Sequence, residues 1–338
     1  MAKWYDDIKN TDDVVVSTRV RLARNLSNYA FPSRMDKETS QKAAELIKDA
    51  ITSNYCEKLG VINVNSGCDT GSLVEEHVIS PDFSTESPLF RLLVTDEKGN
   101  LSVMINEEDH IRIQAIYSGL RLEQAFEKAN QADDAIAKGC KIAFDEEKGF
   151  LTSCPTNLGT GMRVSVMLHL PALSAYGYIK NTVAMLNKIG LTVRGIYGEG
   201  SDAQGNLYQL SNEVTLGISE QDTLEKLKGA INLVVERERE MRKKMLEAAN
   251  SEQLLDTLWR SYGTLRYARK IDTAESAKLI SNVSLASSCG IIPACKDKNL
   301  IKLLFEIMPS HIVSRFPEAV TASVRDKYRA DIIRQFLE

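Results

Sequence analysis

The sequence predicts an α+β fold to about residue 240, followed by an all-helical region. Strand-like and amphipathic helical patterns alternate through the first two-thirds of the chain. A long helical pattern then begins after Ser219, which has capping-box spacing to Asp222. From Ser251 onward every periodic segment is helical, with interruptions expected at Gly263, Gly290, Pro293, Pro309 and Pro317.

The individual elements follow from hydrophobic periodicity. Strand patterns occur at residues 14–16, 89–95, 101–105, 163–170, 193–197 and 206–211. Helical patterns occur at residues 37–58 and 119–137 and from 219 onward. The segment 96–100 contains Gly99 and Asn100 and predicts a hairpin turn. The basic segment 17–25 follows the first strand directly; if it stays extended, Arg19 and Arg21 point the same way.

Composition excludes several classes of protein. The chain has 338 residues, enough for one large domain plus a smaller one or for two medium ones, and its 43% hydrophobic and 26% charged residues are ordinary for a globular protein. No apolar stretch approaches the roughly 18–20 residues that span a bilayer. Asp6 and Asp7 stand where a secretory signal would be apolar, so we expect a cytoplasmic protein. The net charge of −4 argues against nucleic-acid coating.

The cysteines give no metal or disulfide pattern. They lie at 56, 68, 140, 154, 289 and 295. No pair has CxxC spacing and no histidine is close to a cysteine, so no protein-ligated metal site is expected. Disulfides are also not expected in a long chain without an export signal. Most of these cysteines are predicted to be small buried apolar residues.

Four polar segments at strand ends are the candidates for chemistry, because binding loops are commonly placed there. They are residues 19–21, 106–112, 152–163 and 194–199. No phosphate-binding GxxxxGK[ST] loop and no HRD or DFG kinase motif occurs. Each segment also has an ordinary structural interpretation, as solvated arginines, an exposed acidic turn or a structural Cys-Pro.

Together the four segments resemble the phosphagen (guanidino) kinases. Cys154-Pro-Thr-Asn-Leu-Gly-Thr160 is similar to that family's active-cysteine signature. Ser17-Thr-Arg-Val-Arg21, Asn106-Glu-Glu-Asp-His-x-Arg112 and Arg194-Gly-x-x-Gly-Glu199 match the same family in the same order. The resemblance implies a catalytic domain at 14–241 with an antiparallel sheet flanked by helices. It leaves an all-helical C-terminal domain at 242–338.

The resemblance also implies roles for individual residues. Cys154 would be the thiolate that contacts a guanidinium, and Glu108 the catalytic carboxylate with Glu107 beside it. Cys154 and the Glu107–Glu108 pair together would hold the guanidinium, and Glu199 would be a carboxylate on a closing loop. The arginines that clamp the phosphates of ATP would be Arg19, Arg21, Arg112, Arg163 and Arg194. The rest of the nucleotide site would be Ser17, Thr18, Val20, His77, Val164, Ser165, Val166, Met167, Gly195, Ile196, Tyr197, Gly198 and again Glu199. ATP and Mg²⁺ would be the cofactors.

The high pKa of a guanidinium acceptor limits how its proton can be removed. A guanidinium has a pKa of about 12.5–13.8 and a glutamate about 4.3, so proton transfer before reaction would cost on the order of 11–13 kcal/mol. We therefore expect Glu108 to align the nitrogen and to take the proton only as the N–P bond forms. A thiolate at Cys154 would be favoured by neighbouring cations, and we expect the hydroxyls of Thr152 and Ser153 to hydrogen-bond the sulfur.

The C-terminal region and the N-terminus bear on the substrate. The resemblance begins near residue 14, without the helical domain that covers small substrates, so we expect an open site that admits arginine on a protein.

Arg325-Asp-Lys-Tyr-Arg-Ala330 resembles a regulatory phosphoarginine pocket of bacterial family members. In that pocket Arg325 and Arg329 would grip the phosphoryl group and Asp326 the guanidinium. The residues concerned are Arg325, Asp326, Lys327, Tyr328, Arg329 and Ala330.

The leading hypothesis is a kinase of protein arginine that, as the resemblance implies, marks proteins for Clp-type degradation in stress. Its partners would be proteins with exposed arginines, a McsA-like activator, a Clp unfoldase and a second copy of the chain as a homodimer. No nucleic acid or membrane would be bound directly. Two alternatives stay open: a kinase for free arginine or another small guanidino compound, and a non-catalytic adaptor that reads phosphoarginine.

Overall fold

The computed structural model describes residues 3–8, 13–67, 69–195, 203–248 and 251–338, without the side chain of Ser251. These residues form two compact units. The first unit comprises the N-terminal residues to Asp6, Ser17–Ser165 and Ser211–Lys228. The second comprises Asp7–Val16, Val166–Leu210 and Gly229–Glu338.

The strands are β1 (Val15–Arg24), β2 (Gly60–Asn63), β3 (Leu92–Thr95), β4 (Leu101–Ile105), β5 (Ile111–Ser118), β6 (Phe144–Asp145), β7 (Gly149–Phe150), β8 (Met162–His169), β9 (Leu191–Gly195) and β10 (Leu207–Asn212). The helices are α1 (Lys37–Asn54), α2 (Gly71–Glu75), α3 (Pro81–Ser84), α4 (Leu122–Ala137), α5 (Pro171–Ala175), α6 (Ile179–Asn187), α7 (Glu220–Glu247), α8 (Ser251–Tyr267), α9 (Thr273–Ser288), α10 (Leu300–Glu306), α11 (Pro309–Arg315) and α12 (Ala322–Leu337).

The first unit is built on a sheet with strand order β2-β3-β4-β5-β1-β8. The pairs β2–β3, β3–β4, β4–β5 and β1–β5 are antiparallel. The expected hairpin is confirmed, because β3 and β4 pair antiparallel, although β3 begins only at Leu92. Helices α1 and α4 bury alanine-rich faces, including Ala43, Ala44, Ala125 and Ala129. Small side chains on these faces allow the helices to pack closely.

Strand β1 is longer than the sequence pattern predicts. The prediction ended the strand at residue 16, but the ladder with β5 continues from Ser17 to Arg24. The basic segment therefore lies inside the strand, since every second side chain of the segment is buried and the pairing continues. Thr18, Val20 and Leu22 are buried, whereas Arg19 and Arg21 lie together on the other, half-buried side.

The second unit contains the end of β8 followed by β10 and β9 in the sheet order, together with the C-terminal helices. The all-helical prediction after residue 251 is confirmed for the described residues, but the expected interruption at Gly263 is wrong. Gly263 lies within α8, because the flanking Leu258 and Leu265 are buried and hold the helix together. Ser219 caps the start of α7 as predicted, since Asp222 N–H donates to Ser219 Oγ at 3.0 Å; the Ser219 hydroxyl in turn donates to the Asp222 carboxylate at 2.6 Å.

A buried ion network organises the second unit. Glu238 in α7 accepts the backbone N–H groups of Ala172 and Leu173 at the start of α5, each at 3.0 Å. Arg242, one turn further along α7, donates to Glu238 and to Asp13. Among the described residues, no helix has the length and hydrophobicity needed to cross a membrane.

Candidate active site

A cavity in the first unit brings together three of the four predicted segments. Its volume is about 110 Å³. One wall comes from β1, a second from the turn before β5 and from β5 itself, and a third from the loop and strand start at 154–163. The lining residues are Arg21, Leu22, Ala23, Glu108, Arg112, Cys154, Thr156, Asn157, Gly161 and Arg163.

Three arginine side chains, one from each wall, line the cavity. Burial lowers the pKa of Arg21 well below its ordinary value, and the positive charges of Arg19, Arg112 and Arg163 lower it further. The Nε of Arg21 is buried and has no hydrogen-bond partner among the described residues. Like charges in a partly desolvated place repel strongly. The cluster is therefore best satisfied by a multivalent anion.

Glu107 does not line the cavity. It is only 6% exposed, and its carboxylate accepts hydrogen bonds from Arg112 and from the hydroxyl of Ser80. Glu107 therefore holds Arg112, one of the cavity arginines, in place. The expectation that Glu107 and Glu108 both face the guanidinium is not what the geometry gives, because the turn at 106–110 sends these neighbouring side chains in different directions.

Glu108 is the carboxylate that reaches the cavity. Its side chain is exposed, and partial desolvation raises its pKa above the ordinary value, with Asp109 adding to the increase and Arg112 opposing it. A carboxylate with a raised pKa accepts a proton more readily than an ordinary one. This suits a group that takes up a proton late in a reaction.

Asp109 joins the turn of Glu108 to the loop of Cys154. Its buried carboxylate accepts the side-chain amide of Asn25 and the backbone N–H of Ser153, both at 2.6 Å. The hydroxyl of Ser153 in turn donates to the carbonyl of Glu108 at 2.8 Å. The sequence motifs predict no role for Asp109 or Asn25, and their only signal is that Asp109 lies inside the acidic motif.

Cys154 is half-buried at the start of a short 3-10 turn, Pro155–Asn157. Its sulfur lies 3.0 Å from the hydroxyl of Thr156. The expected sulfur contacts of Thr152 and Ser153 are absent: their hydroxyls donate instead to the carbonyls of Cys154 and Glu108, respectively. The prediction was wrong because the 3-10 turn folds residue 156 back toward the sulfur, whereas the preceding residues point elsewhere.

Several predicted nucleotide residues have side chains inside the core. Val20, Val164 and Val166 are fully buried, and Ser17, Ser165 and Met167 are buried as well. Thr18 is also buried, and its hydroxyl donates to the carbonyl of Gly119 at 2.7 Å. Apolar side chains in such positions support the strands that present the arginines. Any contact that they make with a nucleotide is limited to the backbone.

The remaining predicted nucleotide residues lie in different parts of the chain, and some of them fall outside the described residues. His77 has a left-handed φ of 57°, and burial, together with the charge of Arg19, lowers its pKa to about 3. Arg194 is exposed near the end of β9 in the second unit, and Gly195 ends that strand. Ile196, Tyr197, Gly198 and Glu199 lie outside the described residues.

The C-terminal motif lies on α12 of the second unit. Arg329 is 1% exposed, and it donates to the carbonyls of Ile307 and Ile271 and to the carboxylate of Asp326. The expectation that Arg329 grips a phosphoryl group with Arg325 is therefore wrong for this geometry, because the helix faces Arg329 inward.

Apart from Ala330, the other residues of the motif are partly or fully exposed. Arg325 donates to the carbonyl of Val320 at 2.5 Å. Lys327 is exposed, and Ala330 is buried. Tyr328 stacks on Phe316 with ring centroids 4.2 Å apart and donates to Glu318.

Comparison with known proteins decides the family. The model of the ATP:guanido phosphotransferase C-terminal catalytic domain matches residues 35–241, and that of the protein-arginine kinase McsB C-terminal domain matches residues 251–338. A protein-arginine kinase from Syntrophomonas wolfei is 44% identical over 99% of this chain and 95% of its own length. The chain belongs to the protein-arginine kinase family. One from Bacillus subtilis is 40% identical over 100% of this chain and 93% of its own.

Solved structures agree with the fold of this kinase family. A lombricine kinase covers 71% of this chain and 71% of its own at a TM-score of 0.61 and 22% identity. A duplicated taurocyamine kinase from Schistosoma mansoni, with bound transition-state-analogue components, covers 78% of this chain and 38% of its own at a TM-score of 0.63 and 27% identity. The α+β fold with an antiparallel sheet and flanking helices is thereby confirmed.

Proposed function

We propose that this chain transfers the γ-phosphoryl group of ATP to arginine side chains of proteins. The observation that carries the proposal is the composition of the cavity, in which Arg21, Arg112 and Arg163 line the same small space as Glu108 and Cys154. The arginines suit the phosphate chain of the donor. The carboxylate and the sulfur suit a positively charged acceptor.

The donor side works through charge. Phosphoryl transfer places negative charge on three non-bridging oxygens, and positioning with electrostatic stabilisation supplies most of the catalysis. Arg21 is already desolvated and surrounded by like charge, so it does not need to be reorganised when the phosphates arrive. Glu107 keeps Arg112 in place and partly neutralises the cluster when no nucleotide is bound.

Magnesium would enter with the nucleotide. Among the described residues no group of three His, Cys, Asp or Glu side chains is arranged to hold a metal ion. This fits Mg²⁺ bound mainly by phosphate oxygens and water, which is its usual mode with ATP. When bound, the ion would neutralise phosphate charge alongside the arginines.

The acceptor side works through alignment. Glu108 orients the guanidinium and accepts its proton as the N–P bond forms, since the pKa gap forbids earlier removal. Because the pKa of Glu108 is raised, the difference between its pKa and that of the guanidinium is smaller, and proton transfer to Glu108 is less unfavourable. Cys154 contacts a second guanidinium nitrogen. Asp109 holds both groups in register through Ser153.

The protein acceptor is supported by the relatives named above, which are protein-arginine kinases. Free arginine or another small guanidino compound is the competing acceptor. Incubation with Mg-ATP and either a protein rich in exposed arginine or free arginine separates them. We expect acid-labile phosphate on protein arginine by mass spectrometry. Phosphate only on free arginine would overturn the protein assignment.

Cys154→Ala is the control for that experiment. We expect it to lose most turnover, because the guanidinium contact is gone, and to show less thiol alkylation at neutral pH, because the thiol is gone. Full activity in this variant would remove Cys154 from the mechanism and leave Glu108 alone on the acceptor side.

The remaining proposals concern organisation and regulation. We propose a catalytic domain at 14–241 and a helical domain at 242–338 that forms a homodimer, in a cytoplasmic enzyme that works with a McsA-like activator and a Clp unfoldase.

We also propose that the helical domain senses phosphoarginine through Arg325, whose guanidinium is the less buried one of the motif. Arg325→Ala should abolish activation by phosphoarginine without lowering the melting temperature; unchanged activation would exclude this site.

A further inference from the structure

Thr215 lies in the segment between β10 and α7 and belongs to none of the motifs described above. Its hydroxyl is 2.9 Å from the carbonyl of Thr156 and 2.7 Å from that of Leu158. Its own carbonyl accepts the backbone N–H of Thr160 at 3.0 Å. The residue is 6% exposed. One buried side chain and its backbone thus hold three positions of the loop that follows Cys154.

Gly159 makes this close approach feasible. Its φ is 100°, a conformation that favours glycine, and a Cβ there would lie 2.2 Å from the carbonyl oxygen of Thr215. The same Cβ would lie 2.7 Å from the Cα of Leu216. The loop therefore lies directly against the backbone at 215–216 and has no room to shift in that direction.

The contacts lead to the sulfur of Cys154. The hydroxyl of Thr156 touches that sulfur at 3.0 Å, and the carbonyl of Thr156 is held by Thr215. At the other end of the loop, Asp109 holds the N–H of Ser153. The segment that carries the sulfur is therefore fixed from both ends, and Thr215 is responsible for one of them.

We propose that Thr215 is a positioning residue for the reaction, which sets the place of the Cys154 sulfur through Thr156. The inference rests on the proposed function only for its effect on turnover. Its effect on the reactivity of the thiol is independent of what the enzyme phosphorylates. A serine hydroxyl makes the same hydrogen bonds as threonine, whereas valine keeps the shape and removes them.

Thr215→Val, Thr215→Ser and Thr223→Val form the test. Thr223 is a matched control, because it is 2% exposed and its hydroxyl donates to the carbonyl of Ser219 at 2.9 Å, within the same unit but away from the loop. For each variant we would measure kcat, KM for ATP, the rate of Cys154 alkylation by iodoacetamide at neutral pH, and the melting temperature.

We expect Thr215→Val to lower kcat about tenfold and the alkylation rate about threefold, with KM for ATP within about twofold of the original. Thr215→Ser should recover both rates, and Thr223→Val should change neither although it loses a buried hydrogen bond. A Thr215→Val variant with a lower melting temperature but unchanged kcat and alkylation rate would overturn the proposal. Thr215 would then only stabilise the fold.

The alkylation rate separates this inference from the proposed function. If the original enzyme phosphorylates no arginine, but Thr215→Val still slows alkylation and Thr215→Ser restores it, the positioning of the sulfur stands and the assigned reaction fails. If the original enzyme is active and Thr215→Val leaves both rates unchanged, the reaction stands and the role of Thr215 fails.

Discussion

Arginines are treated in opposite ways in the two units. In the second unit, Arg242 donates to five acceptors, on Glu238, Asp13 (two oxygens), Ser288 and His169. In the first unit, Arg21 has like-charged neighbours and a buried Nε without a partner among the described residues. Both side chains are removed from much of the solvent, so the difference lies in what surrounds them.

The difference separates scaffold from site. A buried arginine with every donor satisfied stabilises the arrangement of the groups around it, and removing it leaves those groups unpaired. A cluster of like-charged arginines costs stability in the free protein and recovers it when an anion binds. The arginine cluster therefore lowers stability at the place where catalysis needs a prepared electrostatic field.

The largest expected effect tests the site side of this comparison. Arg21→Met should lower phosphoryl transfer by about 10³-fold or more, because it removes charge stabilisation of the transferring group. The melting temperature without nucleotide should stay the same or rise, since like-charge repulsion is relieved. The measurements are kinase kinetics and thermal melting with and without Mg-ATP. A variant that melts clearly lower would mean that Arg21 belongs to the scaffold.

Arg329→Met tests the scaffold side. It leaves Asp326 and the carbonyls of Ile271 and Ile307 without their partner, and we expect the free energy of unfolding to fall by about 3–5 kcal/mol. Denaturant unfolding monitored in parallel for Arg325→Met supplies the control, because Arg325 is less buried. Equal stability of the two variants would contradict the structural role assigned to Arg329.

Glu107→Gln sharpens the comparison inside the site. Glutamine accepts from Arg112 through its carbonyl and donates its N–H to Ser80, but it removes the charge, so we expect about a tenfold loss of kcat and little change in folding. Glu108→Gln should lose far more, because the proton acceptor itself is gone. If the two variants lost the same activity, Glu107 would have to act on the substrate as well, as the sequence motif alone suggested.

Acidification should weaken both units through buried histidines. Burial lowers the pKa of His169 in the second unit to about 3 and that of His110 in the first unit to about 4. An unfolded histidine has a pKa of about 6.5, so the unfolded state gains a proton first. The stability that each buried, neutral histidine contributes is complete above about pH 6.5. It is lost as the pH falls toward the pKa values that the histidines have in the folded protein.

We expect the free energy of unfolding to be lower by about 1.4 kcal/mol per histidine at about pH 5.5 than at about pH 7.5. Denaturant unfolding at about pH 7.5 and 5.5 measures it, and His169→Gln should reduce the difference. A pH-independent free energy of unfolding over this range would contradict the buried, neutral state of both rings.

Local sequence determined much of the architecture. Alternating and 3.6-residue patterns located most strands and helices, and the Gly99-Asn100 turn predicted the β3–β4 hairpin, because such patterns depend only on which face is buried. The motifs around Arg21, Glu108 and Cys154 correctly pointed to residues that line one cavity.

The tertiary structure decided what each polar group contacts. Only the folded chain shows that Glu107 turns to Arg112, that Thr156 rather than Thr152 or Ser153 meets the sulfur, and that Arg329 is buried. Thr215 stands 59 residues from Thr156 in sequence, so no local pattern joins them. Periodicity reports the burial of a face, whereas a hydrogen bond requires two particular atoms, which are often distant in sequence, to come within about 3 Å.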